Sequence, residues 1–523
     1  MPGPRITVPE GHGEVVSHPP LDQWADRARE NAAAVRSWDF CVAGRPVGDV
    51  RRACRAESLR LACDYTSSLG LAPTAPTEDD APVIVTGHQP ELFHPGIWAK
   101  YFMVQRVCEE VDGHGIGLVV DSEVFGSVSA AVPCDAGQVG RCVIRLAGGD
   151  GETCYGRAPA PDPRAVEAFC EAAAAAIGPL NAPALERNLD GFCEALRIAS
   201  AVGGDVARLV TGARRRYEGA LTDYRDLSVL QLAETASYRA FVADIIGASR
   251  RFAECYNGEL ASYRAARSVR SDAQPFPDLG VTADATELPF WLIGKEGTRA
   301  RPFVREEPGG MSLSAGEVTE RIPADPAALV EQLAGARVVL APRALTLTLF
   351  ARTFLADLFV HGVGGSRYDE VTEGVARAFW GIDLPPFAAV SLTMQPPLDA
   401  LPVSAEDVAE LDRTLKRLEH NPDEFLDDVE FADAGQEAIA RGLAATKSDL
   451  VGEIQREGAD RKELGMRIRD INAKLAEVVE PVAAEVESER RHLVSQLETS
   501  AVLTDRRYPL CFWSPEEVAD KLR

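Results

Sequence analysis

Short apolar runs that stop at polar turns alternate along this chain with longer stretches of helical spacing. Val83-Ile84-Val85 leads into Thr86-Gly87-His88-Gln89, then a loop punctuated by Pro90, Pro95 and Gly96, then the helical run Ile97 to Val104. Ile116 to Val120 reads as a second strand that closes on Asp121-Ser122-Glu123. Strand, loop, helix, strand is a βαβ unit, so the pattern predicts a parallel sheet with a right-handed crossover and both strand ends on one edge. Similar runs return at Thr286 to Ile293, at Arg337 to Ala341 before Pro342-Arg343, and at Leu358 to His361. The last enters the glycine-rich turn Gly362 to Gly365 and a helix beginning near Tyr368.

Helical spacing dominates elsewhere. Residues 20 to 70 are expected to cover the outside of the sheet, and the Pro- and Asp-rich linker Pro73 to Pro82 delivers the chain into the first strand. Residues 163–275 read as a helical insertion with helices over Val166 to Ala176, Ala182 to Ala201, Asp205 to Tyr217, Val229 to Ile246 and Phe252 to Ala265. Beyond Pro397, Leu464, Ile468, Ile471, Leu475, Val478, Val482 and Val486 mark the seam of a coiled coil, with Val408, Leu411, Leu415 and Leu418 as an antiparallel partner. Such a hairpin leaves part of its seam uncovered, which predicts a homodimer. The aromatic segment Arg506 to Trp513 is expected to pack back on a domain.

The expected fold class is therefore α/β: a parallel, Rossmann-like sheet with helical insertions and a C-terminal α-helical hairpin. The halves of the core span 1–162 and 276–397, the insertion 163–275, the hairpin 398–500 and the C-terminal segment 501–523.

A chain of 523 residues with 46% hydrophobic content can fill more than one core. Its 55 Lys+Arg against 80 Asp+Glu give a net charge of -25, which opposes binding to nucleic acid or an anionic membrane and favours small-molecule substrates. Arg214-Arg215-Arg216 is the compact basic run, read as a solvated helix face. Met1 to Arg5 lacks a signal-peptide core and no later segment supplies a membrane span, so a cytoplasmic protein is expected. The eleven cysteines show no Cys-x-x-Cys pair, which predicts reduced, mostly buried thiols and no structural metal.

Chemistry concentrates at the strand ends. His88 and His94 are the candidate catalytic groups, read as donors to a phosphoryl or acyl oxyanion, with Thr86, Gly87 and Gln89 fixing orientation and Lys100 reaching the ligand. Asp121, Glu123, Asp369 and Glu370 suit hydroxyls or an ammonium group. Arg299, Arg301, Arg343 and Arg367 are candidate anion clamps. His361 crowds the second turn, where Gly364 and Gly365 allow close backbone approach at a helix N-terminus.

Thr86-Gly87-His88-Gln89 with Leu92-Phe93, the Gly364-Gly365 turn after a strand, and the C-terminal hairpin together resemble the bacillithiol-biosynthesis cysteine-adding enzymes. The resemblance implies a Rossmann-like core related to class I aminoacyl-tRNA synthetases and nucleotidyltransferases, a coiled-coil dimer, and a site that joins a thiol-containing amino acid to an amino sugar. The family usually has a second glutamine where His88 stands. Gly87-His88 is instead similar to half of the nucleotidyltransferase histidine signature, whose first His or Thr is Val85 here.

The expected activity is that of a ligase or transferase joining an amino acid, cysteine included, or a similar carboxylate to an amine- or hydroxyl-bearing small molecule. ATP or another nucleotide is the expected cofactor. Two other readings remain: nucleotidyl transfer to a small metabolite, and a non-enzymatic nucleotide-sensing coiled-coil scaffold.

Overall fold

The computed structural model describes residues 6–76, 80–135, 139–270, 276–307, 310–316 and 318–523. Met1 to Arg5, residues 77–79 of the linker and 271–275 at the end of the expected insertion lie outside them. The architecture is mixed α/β, and among the described residues no helix is long and apolar enough to cross a membrane.

The chain divides into two compact units. The first takes in most of the chain up to Pro397 together with Arg506–Arg523, and the second is built on Leu398–Asp505.

The main sheet of the first unit has six strands: β1 (Val15–His18), β2 (Val83–His88), β3 (His114–Val119), β4 (Arg225–Ser228), β5 (Leu358–His361) and β6 (Ala388–Leu392). Their spatial order is β1-β6-β5-β2-β3-β4. Strands β2 to β6 pair in parallel, and β1 closes one edge antiparallel to β6. From β2 the chain builds outward through β3 and β4, then returns to β5 and builds the other way. The order therefore reverses between β2 and β5, and loops leaving their carboxyl ends diverge to open a crevice.

The run Ile97 to Val104 belongs to helix α1 (Pro95–Val111), where His94 caps the first turn and Pro95 presets its φ. Side chains alternate across β2. Val83 and Val85 join Phe359, Val371 and Val375 in one core on the far face, so Ile84, Thr86 and His88 project to the α1 face.

Several elements differ from the sequence reading. Residues 163–275 are not purely helical, because Arg225–Ser228 within them is the edge strand of the main sheet. The expected Val229 to Ile246 helix is split into Val229–Ala233 and Ala236–Gly247, with Thr235 capping the second piece. Val339–Pro342 does not extend the main sheet; it joins Phe290–Ile293 and Arg299–Ala300 in a separate antiparallel sheet. The thiols are not all reduced, since Cys134 and Cys142 form a disulfide within the hairpin of Ser127–Asp135 and Val139–Gly148.

The basic run also departs from expectation. Helix α2 (Val206–Glu218) buries Arg214 and Arg215, whose guanidinium groups lie over the rings of Tyr101 and Tyr224 and pair with Asp226 of β4 and Glu218. Only Arg216 is partly exposed. The run thus fastens α2 to the sheet edge instead of facing water.

In the second unit the seam is shared between Arg461–Val478 and Glu480–Leu503, interrupted at Val479. Leu464, Ile471 and Leu475 are buried in a cluster with Leu418, Ala440 and Leu450 from Ala405–His420 and Ala434–Ile454. Ile468, Val478, Val482 and Val486, the rest of the seam, stay half-buried against the same cluster.

Candidate functional site

The carboxyl ends of β2 and β5 bring most of the candidates to the sheet reversal, but on two walls.

The first wall, on the α1 face, holds His88, His94 and Lys100. Lys100, only 4% exposed, donates from Nζ to the Gly87 carbonyl oxygen at 2.7 Å. Its stem passes beneath the second turn: a Cβ added to Gly362 would sit 3.8 Å from Lys100 Cδ. Among the described residues no carboxylate pairs with it. Burial, reinforced by the positive Arg214, lowers its pKa to about 7. Lysine in the first turns of a helix is usually a surface residue; this one is an uncompensated buried ammonium.

The two imidazoles are not equivalent. His88 Nδ1 lies 3.1 Å from the Gln89 carbonyl oxygen, which can only accept, so Nδ1 carries the proton and Nε2 the lone pair. His94 Nδ1 accepts from the Gly96 amide at 3.1 Å, so its proton sits on Nε2. The two tautomers differ: His94 presents an Nε2 proton and His88 an Nε2 lone pair. Burial first, then neighbouring Lys100, lowers His88 to about 3, and burial with Arg506 lowers His94 to about 4. Both rings are neutral near pH 7. His88 packs edge-on against Phe93, their centroids 5.3 Å apart.

Arg506, which the sequence reading treated only as part of a packing segment, joins this wall. Its guanidinium lies against the N-terminus of α1, where a Cβ on Gly96 would come 2.7 Å from Nη2. The segment is held there by the Leu510 amide, which donates to the Phe93 carbonyl at 2.8 Å, and by burial of Tyr508, Leu510, Phe512 and Trp513. Its only sequence signal is the adjacency of Arg506-Arg507 to those aromatics.

The second wall surrounds a cavity of about 160 Å³, lined by Gly87 at the end of β2, by His361, Gly365 and Asp369, and by apolar side chains. His361 Nε2 lies 2.9 Å from Asp369 Oδ2, and Arg352 pairs with the same carboxylate. Burial alone would raise Asp369, but Arg352 and His361 outweigh it and hold the carboxyl at about 2. The helix here, α4 (Val363–Trp380), starts five residues before the expected Tyr368, so Asp369 and Glu370 lie in its second turn and do not serve as first-turn acids. Asp369 orients His361; Glu370 pairs with Arg267. Neither offers a free carboxylate. Opposite α4, helix α3 (Leu345–Phe350) and its preceding Ala344, held at φ +53°, form the cavity rim. Such a backbone costs about 1–3 kcal/mol for a residue with a Cβ and tends to persist at functional sites.

Other candidates have structural partners. Thr86 Oγ1 donates to the Val360 carbonyl at 2.8 Å and ties β2 to β5. Buried Asp121 accepts from Ser228 Oγ and from the Leu230 amide at 3.0 Å, linking β3 to β4. Burial raises it to about 7. Glu123 accepts from Arg299 at 2.7 Å, and Glu287 from Arg343 at 2.7 Å with Arg301 at 3.8 Å. Arg299 and Arg343 further lie over the Trp291 ring, 4.3 and 4.8 Å from its centroid. Arg299 and Arg343 are thus matched by carboxylates, whereas the Arg301 side chain remains 61% exposed. Arg367 and Gly364 are exposed on α4, and Gln89 is partly exposed beside His88.

No protein-family model matches the chain, and no curated protein sequence does.

Proposed function

We propose that the protein is a ligase or transferase that joins an amino acid or similar carboxylate to an amine- or hydroxyl-bearing small molecule, with a nucleotide activating the carboxylate. The observation that carries this reading is Lys100: a buried ammonium at the reversal of a parallel sheet, without a carboxylate partner, is best satisfied by an anionic ligand. A carboxylate or phosphate there would be met by Lys100 and by the His94 Nε2 proton, with the His88 Nε2 lone pair beside it to take a proton. A donor and an acceptor side by side suit acyl or phosphoryl transfer better than simple retention of an anion. The Rossmann-like description of the sheet belongs to the same proposal, supported by the reversal of strand order between β2 and β5. The resemblance noted above makes cysteine the first carboxylate to try.

The test is phosphate or pyrophosphate release from ATP in the presence of a panel of amino acids and amine or alcohol acceptors. Release that depends on both partners is expected, and Lys100→Met should lower it by about 100-fold, the usual loss when one charge-stabilising donor is removed. ATP consumption indifferent to every carboxylate, or full activity in the variant, would overturn the proposal. Nucleotide left attached to the product would assign nucleotidyl transfer instead.

A further inference from the structure

Resting on the ligase or transferase reading, we infer that the cavity on the α4 side is the acceptor subsite, and that it takes a compact, largely apolar amine or alcohol whose N–H or O–H donates to His361 Nδ1. Three features of the second wall support this.

The first is the unused nitrogen. The His361 ring is 6% exposed and its Nε2 is committed to Asp369 Oδ2 at 2.9 Å. With that proton on Nε2, the neutral ring carries its lone pair on Nδ1, which has no hydrogen-bond partner among the described residues. It faces the first turn of α4 where there is no side chain: a Cβ on Gly365 would stand 2.7 Å from Nδ1. Any larger residue would seal the nitrogen from the cavity. Nδ1 is not sealed from the cavity, so a ligand that enters can supply its donor.

The second is the lining. Apart from His361, Asp369, Thr348 and Thr372, the cavity is walled chiefly by Phe276, Phe359, Tyr368 and Leu347. Its volume of about 160 Å³ suits a single ring or a branched side chain, as a cavity of about 150 Å³ accepts benzene. A nucleotide is far too large and too polar for it.

The third is position. Gly87 lines the cavity, and its carbonyl oxygen holds Lys100 on the other wall. The acceptor's nucleophilic atom and the anionic group at Lys100 therefore meet across the end of one strand. With an acyl phosphate formed from the carboxylate and a nucleoside triphosphate, the acceptor's nitrogen or oxygen attacks the carbonyl carbon and a C–N or C–O bond forms. The bond from that carbon to the phosphate oxygen breaks, its electron pair leaving on the phosphate, and the acceptor's proton passes to His361 Nδ1. Asp369 steadies the imidazolium.

The test is calorimetric binding of benzyl alcohol and of toluene to the full chain without nucleotide. Benzyl alcohol should bind about five- to tenfold more tightly, the worth of one hydrogen bond. His361→Phe should abolish that preference while toluene still binds, and His361→Gln, which keeps an acceptor, should retain part of it. Thr348→Phe, which fills the cavity from α3, should block both probes. Equal affinity for the two probes, no binding of either, or binding unaffected by Thr348→Phe would overturn the inference. Lys100→Met should leave probe binding unchanged, so loss of turnover in that variant and loss of probe binding report on the two proposals separately.

Discussion

The Lys100 ammonium reaches back from the first turns of α1 to the carbonyl of Gly87 through a 2.7 Å hydrogen bond, its only hydrogen bond among the described residues, with the Tyr101 ring centroid 5.8 Å away. A positive charge so placed weakens the fold it belongs to. Because its folded pKa of about 7 lies below the unfolded value of about 10.4, the penalty is complete below pH 7 and fades as the pH rises toward 10. Lys100→Met should therefore melt at a higher temperature than the wild type at about pH 6.5, with the gap narrowing steadily as the pH rises toward about 10. A thermal series that shows a constant gap would assign the effect to packing.

The histidines on the same wall act in the same pH direction, but over a more acidic range. His88 and His94 are held to about 3 and 4, whereas unfolded imidazoles titrate near about 6.5. Unfolding then takes up about two protons, and stability should fall as the pH drops from about 6.5 toward 4. Nitrogen-15 spectra at about pH 5 should show both rings neutral, with the His88 proton on Nδ1 and the His94 proton on Nε2. Imidazolium signals from either ring at that pH would refute the assignment.

Asp121 bears a penalty of the usual buried-carboxyl kind. Its folded pKa of about 7 exceeds the unfolded value of about 3.9, so the cost is complete above pH 7 and vanishes in acid. Asp121→Asn, which keeps an acceptor for the Leu230 amide, should stabilise the protein at about pH 8 and lose that advantage by about pH 4. Asp121→Ala should cost about 1–3 kcal/mol in urea unfolding, since it orphans that amide and Ser228.

Removing Asp226 should do the most damage. It faces Arg214 and Arg215, both buried, and its loss leaves two guanidinium groups sharing the Glu218 carboxylate. Asp226→Ala should cost about 3–5 kcal/mol by urea unfolding, whatever it does to turnover. A loss below about 1 kcal/mol would mean that water replaces the carboxylate.

What the sequence reveals follows from how each element is stabilised. Strands β2 and β3 are legible because both faces are buried, leaving uninterrupted apolar runs. Strand β4 is not: Arg225-Asp226-Leu227-Ser228 has two charges, and they are tolerated in the sheet only because Arg214, Arg215 and the Thr74 carbonyl answer them from distant positions. The site divides similarly. His88, His94 and Gly365 stand out by residue type and turn chemistry, while the fates of Arg299, Arg343 and Asp369 depend on Glu123, Glu287 and Arg352, partners no local pattern names. Likewise the tautomers rest on a carbonyl and an amide, which every residue has.

The antiparallel edge has a consequence for biogenesis. Val16 aligns with Ser391 and His18 with Ala389, so β1 must wait during synthesis for the distant β6 before it finds its place. Until then the nascent sheet has a bare flank at β5, beside the crevice, and a chain stalled ahead of β6 exposes backbone amides to any passing strand.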